Sequence, residues 1–142
     1  MSGLTRVAFA IGTLSVVGAC AGNPQPGDEG YKYNVNGAYS AEFVVQGTSY
    51  TGSMTLTTAK GGPVTGAMSV TSPAKITGTV TGKVFGDTLS FESDYEIAEN
   101  GCGGTVTGQG LIGEGGATAS GQMDVYDACA DETMAGSFDL KK

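Results

Sequence analysis

One short pattern limits what this chain can become: an apolar residue, any residue, glycine, any residue, then another apolar residue. It appears at Val35-x-Gly37-x-Tyr39, Tyr50-x-Gly52-x-Met54-x-Leu56, Val64-x-Gly66-x-Met68-x-Val70 and Ile76-x-Gly78-x-Val80. It returns at Val106-x-Gly108-x-Gly110-x-Ile112, Ala119-x-Gly121-x-Met123-x-Val125 and Met134-x-Gly136-x-Phe138-x-Leu140. Leu89-x-Phe91-x-Ser93-x-Tyr95 keeps the alternation without the central glycine. The residues between are mostly Thr, Ser, Lys, Gln, Asp and Glu. Side chains that alternate with period two lie on opposite faces of a strand, whereas a helix needs a period near 3.6. The pattern therefore predicts an all-β domain over residues 35–142, each strand with one apolar and one polar face.

Turn residues then set the pairing. A two-residue turn at Gly86-Asp87 puts Gly82 opposite Phe91 and Gly78 opposite Tyr95. A turn centred on Lys60 puts Met54 opposite Gly66 and Gly52 opposite Met68. A turn at Gly115-Gly116 sets Val106 opposite Val125 and Gly108 opposite Met123, and one centred near Ala130 sets Met123 opposite Gly136 and Gly121 opposite Phe138. In each hairpin apolar phase meets apolar phase, and large side chains fall beside glycines. Eight sequential antiparallel strands predict an up-and-down β-barrel, with a two-sheet sandwich as the alternative. Extending the Gly115-Gly116 hairpin to its open end brings Cys102 opposite Cys129, close enough for a disulfide.

The N-terminal region differs from the rest. Arg6 is its only charge before Asp28, and an apolar or small-residue run covers Val7 to Ala19. That run is too short for a bilayer span and fits the apolar region of an export signal. Val17-Gly18-Ala19-Cys20 resembles the lipobox of bacterial lipoproteins, in which the cysteine is acylated and becomes the first mature residue. The resemblance implies a signal peptide at 1–19, lipid on Cys20 and a membrane partner through that anchor, in the cell envelope and most naturally on the outer membrane. Ala19-Cys20-Ala21 also satisfies the small-x-small rule, so cleavage after Ala21, giving a soluble exported protein, stays open. Cys102 and Cys129 pair in an oxidising compartment and leave Cys20 for lipid. Residues 20–34, rich in Gly, Pro and polar side chains, read as a flexible tether of roughly 20 Å reach.

The chain carries little recognisable chemistry. It has no histidine, which removes Ser-His-Asp and Cys-His designs and histidine metal ligands. Its net charge of −7 at pH 7 and lack of a basic cluster argue against nucleic-acid binding. Gly108-Gln-Gly110-Leu-Ile-Gly113 spells a dinucleotide fingerprint but leads into another strand rather than a helix, so no cofactor is expected. Glu92, Asp94 and Glu96 alternate on the outer face of one strand, outside any cleft that would raise a pKa. Asp124, Asp127, Asp131 and Glu132 form a weak Ca²⁺ candidate without EF-hand spacing.

The interior is the remaining candidate site: Tyr39, Tyr50, Met54, Met68, Phe91, Tyr95 and Met123 point inward, where a barrel either packs itself or holds one small apolar ligand. The plan as a whole resembles calycin-like barrels of bacterial envelope lipoproteins, a group with ligand carriers and enzyme inhibitors. The resemblance implies a non-enzymatic binding module. Its partner is then a protein at the loops Gln46-Gly47, Lys60-Gly61 and Glu96–Gly101, a small apolar ligand inside, or the envelope itself in a structural role.

Overall fold

The structure of the protein, a computed structural model, describes residues 22–142. The signal peptide and Cys20 expected from the sequence lie outside those residues. Eight strands follow in chain order: β1 (Gly37–Val45), β2 (Thr48–Thr58), β3 (Pro63–Ser72), β4 (Ile76–Phe85), β5 (Thr88–Ile97), β6 (Gly103–Ile112), β7 (Thr118–Asp127) and β8 (Glu132–Lys141). Each pairs antiparallel with its sequence neighbour, and β1 also pairs with β8, so the sheet closes as an up-and-down barrel. Closure leaves no free edge and sets aside the two-sheet sandwich.

The hairpins follow from turn chemistry. Gln46 and Gly47, both with positive φ, join β1 to β2, the geometry whose twist matches two flanking strands. Gly86, also at positive φ, begins the two-residue link from β4 to β5, and Gly82 faces Phe91 and Gly78 faces Tyr95. The β6–β7 pairing places Val106 against Val125 and Gly108 against Met123, and β7–β8 places Met123 against Gly136 and Gly121 against Phe138.

The β2–β3 hairpin differs from the sequence expectation by two residues. Met54 faces Met68 and Leu56 faces Gly66, with a bulge between Thr51 and Gly52. Gly61 and Gly62 both take positive φ and centre the turn beyond Lys60. A two-residue slip preserves which face each side chain occupies, so the inward set is unchanged.

Inward side chains build the core: Tyr39, Met54, Leu56, Val64, Val80, Val84, Leu89 and Leu140 are almost wholly buried. Each such aliphatic side chain contributes about 1.5–3 kcal/mol relative to exposure. Glycine makes room for the largest. Phe91 lies between Gly82 on β4 and Gly108 on β6, and its ring occupies the space a Gly108 side chain would need. The same ring meets Phe138 edge-on at 5.1 Å between centroids. Thr58 and Ser93 are the buried polar side chains on this phase among the described residues, and the Ser93 hydroxyl has no protein partner. The outward phase is mainly Thr, Ser and charged residues, in place of the apolar band that lipid contact requires. Among the described residues no helix is long and apolar enough to cross a membrane.

The two ends differ. The β2–β3, β4–β5 and β6–β7 links lie at one end, together with the N-terminal segment before β1. The other four links lie at the opposite end. The segment expected to be a flexible tether through Asn34 instead packs across the first end as a plug. The Gly61 amide donates to the Pro26 carbonyl, the Tyr31 hydroxyl to the Gly86 carbonyl, and the Gly115 amide to the Lys32 carbonyl. Tyr31 and Tyr33 pack on the core, and Val35 is fully buried. Thr58 latches this plug. Its hydroxyl accepts from the Val35 amide and donates to the Val35 carbonyl, each at 2.8 Å, while the Asn36 side-chain oxygen accepts the Thr58 amide. Gly- and Pro-rich composition marks these residues as non-regular backbone, but their aromatic and apolar side chains still have a core to bury against.

A candidate ligand cup at the open barrel end

Opposite the plug the barrel interior opens as a cup of about 310 Å³. Its floor and walls include Phe43, Met68, Val70, Val106, Met123 and Val125, with Ile76, Ile97 and Met134 nearer the mouth. The apolar lining follows from the inward phase of each strand. The space follows from the plug: the packed residues sit towards the closed end, and among the described residues no segment comparable to 25–36 covers the other. This volume is at the lower end of small-molecule sites, which are largely apolar with a few polar groups.

The polar groups here are Gln46, Thr48, Tyr50, Tyr95 and Asp127. The Tyr95 hydroxyl donates to the Tyr126 carbonyl at 3.1 Å. Burial holds the Tyr95 phenol above its ordinary pKa, and the nearby Asp127 carboxylate and Tyr50 push the same way. Asp127 also accepts the Cys129 and Ala130 amides, shaping the β7–β8 link. The Cys102–Cys129 disulfide forms, joining the β5–β6 link to the β7–β8 link and stapling one side of the rim.

Four of the seven inward residues read from the sequence, Tyr50, Met68, Tyr95 and Met123, line the cup together. The other three do not. Tyr39 lies beneath the plug, its buried hydroxyl donating to the Gly116 carbonyl at 2.6 Å and accepting the Asn36 amide at 3.2 Å. Met54 is fully buried in the packed half, and Phe91 is held between its two glycines. Sorting inward residues by barrel end would have separated these groups and added Phe43, Val125 and Met134, which share the phase but were not singled out.

The remaining candidates are dispersed. The loops Gln46-Gly47 and Glu96–Gly101 are at the open end, but Lys60-Gly61 is at the closed end, so the three do not form one binding face. Glu92, Asp94 and Glu96 are exposed on the outer wall. Asp124 is exposed on β7, while Asp127 is engaged by backbone amides and Asp131 accepts the Tyr126 hydroxyl. Among the described residues no three His, Cys, Asp or Glu side chains are grouped to hold a metal ion, so the Ca²⁺ candidate is not assembled. Gly108–Gly113 runs along β6 into a three-residue 3₁₀ turn, Glu114–Gly116, which offers no helix N-terminus.

The tyrosines make the fold sensitive to alkali. Burial raises the Tyr39 pKa, against a smaller opposing effect of the Asn36 amide, and Tyr95 is raised as described. A phenol whose folded pKa exceeds its unfolded value, near 10, gives stability that is complete below that value and lost as pH rises through the folded one. Urea midpoints should therefore hold to about pH 9 and fall steeply above about pH 10. Tyr39→Phe should flatten that fall, as measured by midpoints across the series.

Fold and cup together define a closed eight-stranded barrel, plugged at one end and open to an apolar cavity at the other. No protein-family model, curated protein or solved structure matches this chain.

Proposed function

We propose that this is a non-enzymatic lipoprotein of the bacterial cell envelope, anchored through Cys20, whose barrel binds a small apolar ligand in the open-end cup. The observation that carries the reading is the cup itself, an apolar cavity of about 310 Å³ open at one mouth. Methionines at Met68, Met123 and Met134 adapt to irregular shapes, and Tyr50 offers a hydroxyl to orient a guest. The anchor reading is supported by the Val17-Gly18-Ala19-Cys20 pattern and by the pairing of the other two cysteines with each other. The mostly polar outer wall fits a domain held at a membrane rather than within it.

The neutral fluorophore N-phenyl-1-naphthylamine serves as a probe. Saturable binding with one site per chain is expected. Ile76→Trp, which fills the mouth, should weaken it at least about tenfold, the effect of losing roughly 1.4 kcal/mol of contact. Binding that is absent, or unchanged by Ile76→Trp in a folded protein, would remove the carrier reading. A second reading, protein capture at the open rim, is favoured by the disulfide, which fixes two of the four rim links.

A further inference from the structure

We propose that the plugged end of the barrel docks on a bilayer surface rich in anionic headgroups, with Phe85 and Leu111 seated among those headgroups and the cup facing away. The proposal rests on the lipid-anchor reading of Cys20 and adds an orientation to it. Three independent observations converge on the same end.

The first is the length of the leash. The plug begins at Gln25, whose amide donates to the Asp28 carboxylate and whose carbonyl accepts the Asp28 amide. Only about five residues then separate an acyl chain on Cys20 from the folded domain, at most about 17 Å when fully extended. A domain held that closely presents the end from which the chain leaves, and that end is the plugged one.

The second is where large apolar side chains remain in water. Phe85 is 77% exposed and Leu111 is 61% exposed, and both lie at the plugged end, whereas the third exposed large side chain, Tyr126 at the open end, is only 38% exposed and donates its hydroxyl to Asp131. Thr88 pairs with Phe85 on one side and Leu111 on the other, so the two flank a single residue across three adjacent strands. Neither packs on the core. Side chains of this kind gain by entering the headgroup region.

The third is charge. Lys32, Lys60, Lys83, Lys141 and Lys142 lie at the plugged end, where they are interspersed with a comparable number of acids. The open half carries Asp94, Glu96, Glu99, Asp127, Asp131 and Glu132, with Lys75 as the only lysine or arginine there among the described residues. An anionic surface attracts lysines within a Debye length and repels the acidic half, which turns the barrel plug-down. The three observations have different physical origins, so their agreement is not built in.

The chain contains no tryptophan, so single introduced tryptophans report depth without background. Full-length Phe85→Trp and Glu99→Trp proteins, processed in a bacterial host and purified from membranes, are reconstituted on vesicles of phosphatidylethanolamine and phosphatidylglycerol with brominated acyl chains. Both sites are exposed, so neither change disturbs the core. Quenching of Phe85→Trp at least threefold stronger than of Glu99→Trp is the expected result. Replacing phosphatidylglycerol with phosphatidylcholine should reduce the difference, and an unchanged difference would overturn the assignment to anionic headgroups. Equal quenching in vesicles that carry the protein through flotation would overturn the docking while leaving the anchor intact. Protein that fails to float with vesicles would overturn the anchor reading and the docking with it.

Discussion

Replacing Cys102 and Cys129 together by serine is expected to lower the free energy of unfolding by about 3–4 kcal/mol. The bond closes a chain segment with a sequence separation of 27 residues, and the cost of leaving that segment open in the unfolded state grows with the logarithm of its length. The loss should appear as a lower urea midpoint, and dithiothreitol should reproduce it in the unmodified protein. A loss below about 1 kcal/mol would mean that the β6–β7 hairpin stays paired in the unfolded chain. Because the bond fixes one side of the rim, the serine variant should also bind the naphthylamine probe more weakly under conditions where the barrel is still folded.

The second large effect is expected at the latch. Thr58→Val keeps the shape of the side chain but removes the one group that both accepts from and donates to the Val35 backbone. Val35 is fully buried, so its amide and carbonyl are left without partners and without water. An unpaired buried polar group costs about 1–3 kcal/mol, which sets the expected loss near 3 kcal/mol. Thr58→Ser, which retains the hydroxyl, should recover most of it. Hydrogen exchange locates the effect: the Tyr31 and Val35 amides should exchange much faster in Thr58→Val, while those of β5 to β7 keep their protection. Uniform loss of protection across the barrel would contradict a local latch.

The strands were legible because their signal is redundant. Seven glycine-centred segments and Leu89–Tyr95 all repeat the same period, and three of the four turns used to set register sit where the sequence puts them. The Cys102–Cys129 pair could be read from register alone because the β6–β7 ladder holds to Gly104 and Asp127, two residues short of each cysteine. The β2–β3 register was not legible. Lys60, Gly61 and Gly62 permit more than one turn centre, and only the backbone geometry of the two glycines distinguishes them.

The plug was hidden for a different reason. Asn23-Pro24-Gln25-Pro26-Gly27-Asp28 lacks periodicity, and such a stretch can fold only by borrowing a surface made elsewhere in the chain. Tyr31, Tyr33 and Val35 were the residues that betray it. The cup was half legible as a result: phase along a strand says which side chains point inward, but not which end of the barrel is stoppered. That distinction separates Tyr39 and Met54 from Tyr50 and Met123.

The latch also determines how the molecule bears mechanical load. A pull on the N-terminus travels through residues 25–36 and reaches the Thr58 hydrogen bonds before it reaches any strand ladder. Plug and barrel are thus mechanically in series, and the weaker element is the first to yield. Its release would lengthen the chain ahead of the barrel by about ten residues, on the order of 35 Å of slack. The disulfide-stapled rim lies outside that path, so the plug can act as a fuse that gives way while the cup keeps its shape.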